Sequence, residues 1–251
     1  MNPKILISYV YYEKQNTKKN LEFFLEYGLK DHMTMIINVK SAEINIDVSQ
    51  YKNVILYLSE NTGFDFGGHR DNLSKVNFNN YNYFVLMNDS CMGPFYKEGN
   101  WYDQFIEKLN DETNIVGTLG LGPIKGKGKG SVRCLGSWFL VVHKDFIYDL
   151  HSMLKVYAPT AGGMKGFSQV CLIEKKCINN LLKKHKKRHA CLVKGNWKVP
   201  HNPFDVVFVK ENRIGYPKAC ELSSSRGALC YITQETLNNS INYMNNENRN
   251  K

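Results

Sequence analysis

Short apolar runs alternate with amphipathic stretches over residues 1–90. Helical spacing predicts a helix over 16–27, ended by Gly28, and another over 69–76. Runs rich in β-branched and aromatic residues predict four strands, at 4–11 (KILISYVY), 33–39 (MTMIINV), 54–58 (VILYL) and 83–87 (YFVLM). This alternation indicates an α/β protein with a mainly parallel central sheet flanked by helices.

The rest of the chain continues the alternation without an internal repeat or a second domain boundary. We therefore expect a single domain over 1–237. Residues 238–251 are rich in asparagine and poor in apolar side chains, which predicts a flexible tail. The further predicted elements are helices at 101–109, 146–156 and 172–185 and strands at 115–119, 137–143 and 190–193.

Composition limits the cellular setting and the class of partner. No stretch approaches the ~18 consecutive apolar residues of a membrane span, and the N-terminus does not resemble a signal peptide, so we expect a cytoplasmic protein. The seven cysteines form no CxxC pair, which argues against a zinc or thioredoxin-type site and favours buried thiols. The net charge of +10 indicates affinity for anions, whether nucleic acid, an anionic membrane or a nucleotide diphosphate.

Three polar segments fall at the carboxyl ends of predicted strands, at 11–13, 60–65 and 88–90. In parallel sheets ligands bind outside these ends. The convergence of the three segments therefore predicts the position of a binding site.

The first segment with candidate chemistry is NTGFDFGGHRDNL, at 61–73. Its glycines allow close approach of a ligand to the backbone, and Arg70 is a planar donor suited to phosphate. Asp65 and Asp71 can accept hydrogen bonds from sugar hydroxyls. The alternative is a strand-to-helix turn in which Arg70 and Asp71 only decorate the helix.

The second segment, YFVLMNDSCMGPF, lies at 83–95. Its strand delivers Asp89 to the carboxyl edge of the sheet, where a carboxylate can hold Mg²⁺ or Mn²⁺ and thereby a diphosphate. The alternative is an Asx-type turn that closes the strand.

Together with HNPFDVVFVKENR at 201–213, these two segments resemble the GT-A superfamily of glycosyltransferases. The closer resemblance is to the rhamnan synthesis protein F-like glycosyltransferases and their uncharacterised eukaryotic and viral relatives, over most of 4–213. It implies a GT-A, Rossmann-like nucleotide-sugar-binding fold, with a nucleotide-binding half at about 1–95 and an acceptor-binding half at about 96–237. The implied activity is hexosyl or pentosyl transfer from a nucleotide-diphosphate donor to a glycan or glycoprotein acceptor in polysaccharide biosynthesis.

The resemblance also implies a nucleotide-sugar site built from three places along the chain. The base lies over the end of the first strand, and the usual DxD motif is replaced by Asn-Asp-Ser. The implied members of the site are Tyr9, Val10, Tyr11, Asn61, Gly63, Asp65, Arg70, Asn88 and Asp89.

Only one acidic residue stands where the family motif has two. Asp89 can hold Mn²⁺ or Mg²⁺ with water ligands, and His201 resembles the late histidine that completes the metal shell in some GT-A enzymes. Basic residues can instead neutralise the diphosphate, and a loop histidine is commonly structural.

For the catalytic base, the resemblance points to Glu174, in a predicted helix at 172–185. A carboxylate beside the acceptor hydroxyl can take its proton. The alternative role is a first-turn glutamate favoured by the helix dipole. Asp145 and Asp205 are further candidates.

Two basic stretches stay open to two interpretations each. Residues 126–133 (GKGKGSVR) are either a flap that closes over the diphosphate or a solvated loop. Residues 183–188 (KKHKKR) are either a solvated helix end or a surface for peripheral contact with membrane or acidic glycan.

Three other functions remain as alternatives. A sugar-nucleotide nucleotidyltransferase would carry a glycine-rich basic loop after the first strand, and 11–19 contains no glycine. A nucleic-acid-binding protein fits the charge, but no recognised nucleic-acid motif accompanies it, so we expect no nucleic-acid partner. A catalytically inactive glycan-binding relative fits the single-aspartate motif.

Overall fold

The computed structural model describes residues 2–14, 16–41, 45–121, 134–161, 167–194, 201–210 and 232–249. The elements of the first part are β1 (Ile5–Tyr11), α1 (Thr17–Tyr27), β2 (Met33–Val39), β3 (Val54–Leu58), α2 (Phe64–Leu73), a 3-10 helix (Phe78–Asn80), β4 (Tyr83–Asn88) and β5 (Cys91–Met92). The later elements are α3 (Asp103–Ile106), β6 (Thr113–Leu121), β7 (Cys134–Leu135), β8 (Phe139–His143), α4 (Lys144–Ala161), α5 (Phe167–Lys184), β9 (Arg188–Lys194), α6 (Pro203–Val206), β10 (Val209–Lys210) and α7 (Gln234–Arg249).

The central sheet has eight strands, in the order β3-β2-β1-β4-β8-β6, with β9 also paired to β6 and the short β7 joined to the end of β6. Strands β1 to β4 are mutually parallel, and β9 is parallel to β6. Strand β8 runs antiparallel between β4 and β6. This arrangement confirms the predicted α/β class with a mainly parallel sheet, and it fits a Rossmann-like GT-A fold.

Helices cover both faces of this sheet because β1 is apolar on both sides. Ile7 and Tyr9 pack with Phe24 of α1 on one face. Leu6 packs on the other face, in a cluster with Phe66 of α2 and Leu150 of α4. A strand buried on both faces is typical of parallel sheets, which explains the unbroken apolar run at the start of the chain.

Helix α2 begins five residues before the predicted start at 69, because Gly63 adopts a left-handed conformation (φ 73°) and the helix follows at Phe64. Its glycines serve helix packing: a Cβ on Gly68 would lie 2.5 Å from the Val10 side chain. Because the helix begins at Phe64, Asp65 lies in its first turn.

Residues 238–249, which the sequence analysis assigned to a flexible tail, form most of α7 in the structure. Leu237 and Met244 are buried against Phe23 and Val206, and Ile241 packs beside them. These three apolar residues recur at helical spacing, so the helix is held by tertiary packing despite its asparagine content.

No helix in the described ranges is both long enough and apolar enough to span a membrane. A short second sheet pairs β5 with β10, with Lys210 opposite Cys91. This pairing brings Val209 and Lys210 to the residues that follow β4.

Candidate functional site

Asp89 is held at the carboxyl edge of the sheet by the end of the neighbouring strand. Its backbone N–H donates to the Val10 carbonyl oxygen at 3.0 Å, and the Tyr12 N–H donates to its Oδ2 at 2.9 Å. The Asn20 side chain donates to its carbonyl oxygen at 2.9 Å. Because these bonds come from β1 and α1, Asp89 is fixed in place and only 8% exposed.

The first turn of α2 meets the end of β4 at the same place. Asn88 Nδ2 donates to Asp65 Oδ2 at 2.6 Å. Asn88 Oδ1 accepts from the Ser90 hydroxyl at 2.6 Å, so both ends of the amide are used. The structure thus brings together Asp65, Asn88 and Asp89, which sequence analysis places in one site.

Glu174 approaches this group from α5. Its side chain is 1% exposed, and Oε2 accepts from the Ser137 hydroxyl at 2.7 Å. Oε1 has no hydrogen-bond partner within the described part of the chain. Helix α5 begins at Phe167, seven residues before Glu174, so the alternative of a first-turn glutamate is wrong.

The three carboxyl groups of Asp65, Asp89 and Glu174 are here called the acidic cluster, because the charge of Asp65 acts on the other two. Burial and then the charge of Asp65 raise the pKa of Asp89 to about 7. The same two causes raise the pKa of Glu174 to about 8. Both groups can therefore exchange a proton near neutral pH, which an acid–base catalyst needs.

Lys210 faces the acidic cluster from β10, and sequence analysis did not single it out. Its charge lowers the pKa of Asp89 and Glu174, against the larger effect of burial. The Nζ atom lies 6.0 Å from the ring centroid of Trp138. The available signal was its place at the end of the apolar run in 201–213.

The three β1 residues predicted near the base differ in what they present. The Tyr9 and Tyr11 rings are buried in the core, and burial raises the pKa of both. Val10 contributes its carbonyl oxygen to Asp89. The exposed aromatic at this strand end is Tyr12, with Lys14 Nζ 5.3 Å from its ring centroid.

Arg70 takes part in a second polar group, at the ends of β2 and β3. Its Nε donates to Asp71 Oδ1 at 2.7 Å. Lys40, nearly buried, reaches Asp71 Oδ2 at 3.4 Å and donates to Ser59 Oγ at 2.8 Å. These contacts fit the alternative in which Arg70 and Asp71 decorate the helix, and nucleotide binding by Arg70 stays a prediction, as it does for Asn61 and Gly63 in the preceding loop.

The residues proposed from the 201–213 segment lie elsewhere. Asp205 is exposed in α6, and its charge partly offsets the lowering of the His201 pKa by burial. The described contacts join neither residue to the acidic cluster. Across the ranges that the structure describes, no group of three or more His, Cys, Asp or Glu side chains is arranged to hold a metal ion.

The two basic stretches give little further information. Residues 126–133 lie outside the described residues. The stretch at 183–188 follows the end of α5, where His185 lies 3.3 Å from Asp149 and Arg188 lies 3.3 Å from Glu112. Contact of this stretch with a membrane or an acidic glycan stays a prediction.

Comparison with known proteins supports the resemblance stated from the motifs. Residues 33–149 match the family model described as rhamnan synthesis protein F, and the match includes both 61–73 and 83–95. Comparison with curated proteins gives no match. A crystal structure of a glycosyltransferase involved in glycosylation of the major capsid of PBCV-1 aligns with a TM-score of 0.46 and 11% identity, over 83% of this chain and 94% of that one. The family match supports glycosyl transfer in polysaccharide biosynthesis as the general activity.

Proposed function

We propose that the chain transfers a hexosyl or pentosyl group from a nucleotide-diphosphate donor to a hydroxyl group of a glycan or glycoprotein. The family match supports the general class of reaction. The observation that carries the proposal is the hydrogen bond of 2.6 Å between Asn88 and Asp65 beside Asp89. This hydrogen bond joins the segments 61–73 and 83–95, and the sequence analysis predicts that both bind the donor. It lies at the edge of the sheet where ligands of α/β proteins bind.

The donor would bind across the ends of β1 and β4. Asp65 can accept hydrogen bonds from ribose or sugar hydroxyls, and Tyr12 offers an exposed aromatic face to a nucleobase at the end of β1. Asp89 lies between these two groups in the chain's hydrogen-bond network, through Asn88 on one side and the Tyr12 N–H on the other. The diphosphate would therefore lie near Asp89.

Glu174 is the proposed general base. The Ser137 hydroxyl occupies Oε2, which leaves Oε1 as the atom able to take the proton of the acceptor hydroxyl. The acceptor oxygen then bonds to the anomeric carbon as the bond from that carbon to the diphosphate oxygen breaks. A pKa of about 8 suits proton transfer near neutral pH.

The proposal is tested by incubating the protein with UDP-, GDP- and dTDP-sugars and a panel of hydroxyl acceptors, and measuring released nucleoside diphosphate. We expect Glu174→Gln to lower transfer by ~100-fold or more, the usual contribution of a general base. Asp89→Asn should also lower it strongly. Glu22→Gln is the matched control because Glu22 lies on the exposed face of α1, with its side chain 54% exposed. Folded Glu174→Gln and Asp89→Asn proteins with the rate of the control would contradict the proposal.

A further inference from the structure

The GT-A resemblance implies a divalent ion at Asn88-Asp89, and the donor atoms there do not fit one. Asn88 supplies an amide whose nitrogen is bonded to Asp65 and whose oxygen is bonded to Ser90. Asp89 Oδ2 already accepts from the Tyr12 N–H. His201, the expected late ligand, lies within electrostatic reach of Asp205, and its Nε2 atom has no hydrogen-bond partner among the described residues. Both ends of the Asn88 amide are thus bonded within the protein, and the described contacts join His201 to neither Asn88 nor Asp89. Among the residues that the structure describes, no group of three or more His, Cys, Asp or Glu side chains is arranged to hold a metal ion.

A lysine occupies this region instead. The antiparallel pairing of β10 with β5 sets Lys210 opposite Cys91, two residues after Asp89. The Trp138 carbonyl oxygen accepts from the Asn88 N–H at 3.2 Å and from Cys91 Sγ at 2.9 Å, while Lys210 Nζ lies 6.0 Å from the ring of the same tryptophan. Trp138 therefore contacts Lys210 through its ring and Asn88 and Cys91, on either side of Asp89, through its carbonyl oxygen.

The electrostatics agree with this placement. Lys210 stabilises the charged forms of two buried carboxyl groups, Asp89 and Glu174, and Lys14 acts on Asp89 as well. The ammonium group of Lys210 is therefore within electrostatic reach of Asp89 and of the proposed base Glu174. It would repel a divalent ion and attract an anion.

We propose that the ammonium group of Lys210, assisted by Lys14, binds the donor diphosphate and takes the place of a divalent ion. The inference rests on the proposed function and assigns its leaving-group site. When the bond from the anomeric carbon to the diphosphate oxygen breaks, the electron pair stays on that oxygen. Lys210 stabilises the resulting charge by a charge-assisted hydrogen bond.

Lys40, a buried lysine at the ends of β2 and β3, is unsuited to this role. Lys40 Nζ donates to Ser59 Oγ at 2.8 Å and to the Glu60 carbonyl oxygen at 3.0 Å, and it reaches Asp71 Oδ2 at 3.4 Å. An ammonium group has three donors, and these contacts use all of them. Lys40 therefore stabilises the ends of β2 and β3.

The test is calorimetric titration of UDP, GDP and dTDP into the wild type, Lys210→Met and Lys210→Arg, each with EDTA and with Mn²⁺. We expect the wild type to bind at least one nucleotide equally well in both conditions. Lys210→Met should weaken that binding by ~10–100-fold, the range for a lost charged hydrogen bond, without rescue by Mn²⁺. Lys210→Arg should retain most of the affinity because it keeps the charge.

Lys30→Met is the matched control, since Lys30 Nζ also lies over an aromatic ring, 5.7 Å from the centroid of Tyr96, before β2 begins. It should bind like the wild type. Wild-type binding that requires Mn²⁺, or unchanged affinity in a folded Lys210→Met protein, would overturn the role of Lys210 and leave the proposed transferase in place. Failure of the wild type to bind any of the three nucleotides would overturn both.

Discussion

Replacement of Glu174 by glutamine is expected to change how stability depends on pH. The carboxyl is buried, and its pKa rises from the usual 4.5 to about 8 because of burial and the charge of Asp65. The folded protein therefore holds the proton more tightly than the unfolded chain between these two pH values, so wild-type stability falls as pH rises through this window. At about 1.4 kcal/mol per pH unit, the full window corresponds to a loss of about 5 kcal/mol.

Glutamine carries no titrating group, so the Glu174→Gln protein should not show this loss. Between pH 5.5 and 8.5 we expect the wild type to lose at least about 2 kcal/mol relative to the variant, or about 4–8 °C in melting temperature for a chain of this size. The variant should be the less stable protein at pH 5.5, since its amide N–H group faces the position of Oε1, which has no described partner. The two curves of melting temperature against pH should cross.

The assay is thermal denaturation at half-unit steps from pH 5 to 9 at constant ionic strength, with Glu22→Gln as the control for loss of one carboxylate. The control curve should run parallel to that of the wild type, because Glu22 is exposed. Parallel curves for the wild type and Glu174→Gln would refute a raised pKa at Glu174. Transfer activity should be lost in Glu174→Gln at every pH, including those where the variant is the more stable protein.

Three further substitutions test the packing and the site. Asn88→Asp removes the donor to Asp65 and adds a charge, so we expect the free energy of unfolding to fall by about 1–3 kcal/mol. Mn²⁺ should restore the stability of this variant and leave that of the wild type unchanged. A melting temperature of the variant that Mn²⁺ does not affect would contradict this. Gly68→Ala places a methyl group 2.5 Å from the Val10 side chain, so we expect the free energy of unfolding in denaturant titrations to fall by about 1–3 kcal/mol. An unchanged denaturation midpoint would show that α2 can move away from β1 without cost. Met244→Asp puts a charge in the buried face of α7 and should lower the free energy of unfolding, measured in the same denaturant titrations, by about 2 kcal/mol or more. An unchanged free energy of unfolding would mean that α7 does not pack on the domain.

The longer strands were predictable because each contains a compact apolar run, whereas the two-residue strands β5, β7 and β10 were not predicted. Strands β2 and β3 have the predicted bounds, since polar residues follow each apolar run directly and mark its end. The start of α2 was missed because Asp65 and the two glycines that follow Phe66 favour a loop locally, while packing against Val10 makes them helical. Helix α7 was missed for a related reason, because its few apolar residues gain stability only through tertiary contacts.

The site was predictable in part. Strands β3, β2, β1 and β4 are parallel, so the segments that follow β3 and β4 lie at the same edge of the sheet, which favours the approach of Asp65 to Asn88 and Asp89. The position of Lys210 beside the site depends on the pairing of β10 with β5, which are more than a hundred residues apart in the sequence. No local sequence pattern predicts that pairing. The binding role of Arg70 stays a prediction, and the hydrogen bond of 2.7 Å to the adjacent Asp71 fits the alternative in which both residues decorate the helix.

The most direct test of the central claim is a crystal structure of the protein with the nucleoside diphosphate that it binds most tightly. We expect the diphosphate at the edge between β1 and β4, with an oxygen within about 3 Å of Lys210 Nζ, as in a charge-assisted hydrogen bond. A diphosphate bound instead beside Lys40 and Arg70, or on the basic surface at 183–188, would contradict the assignment of the donor site to Asp65, Asp89 and Lys210.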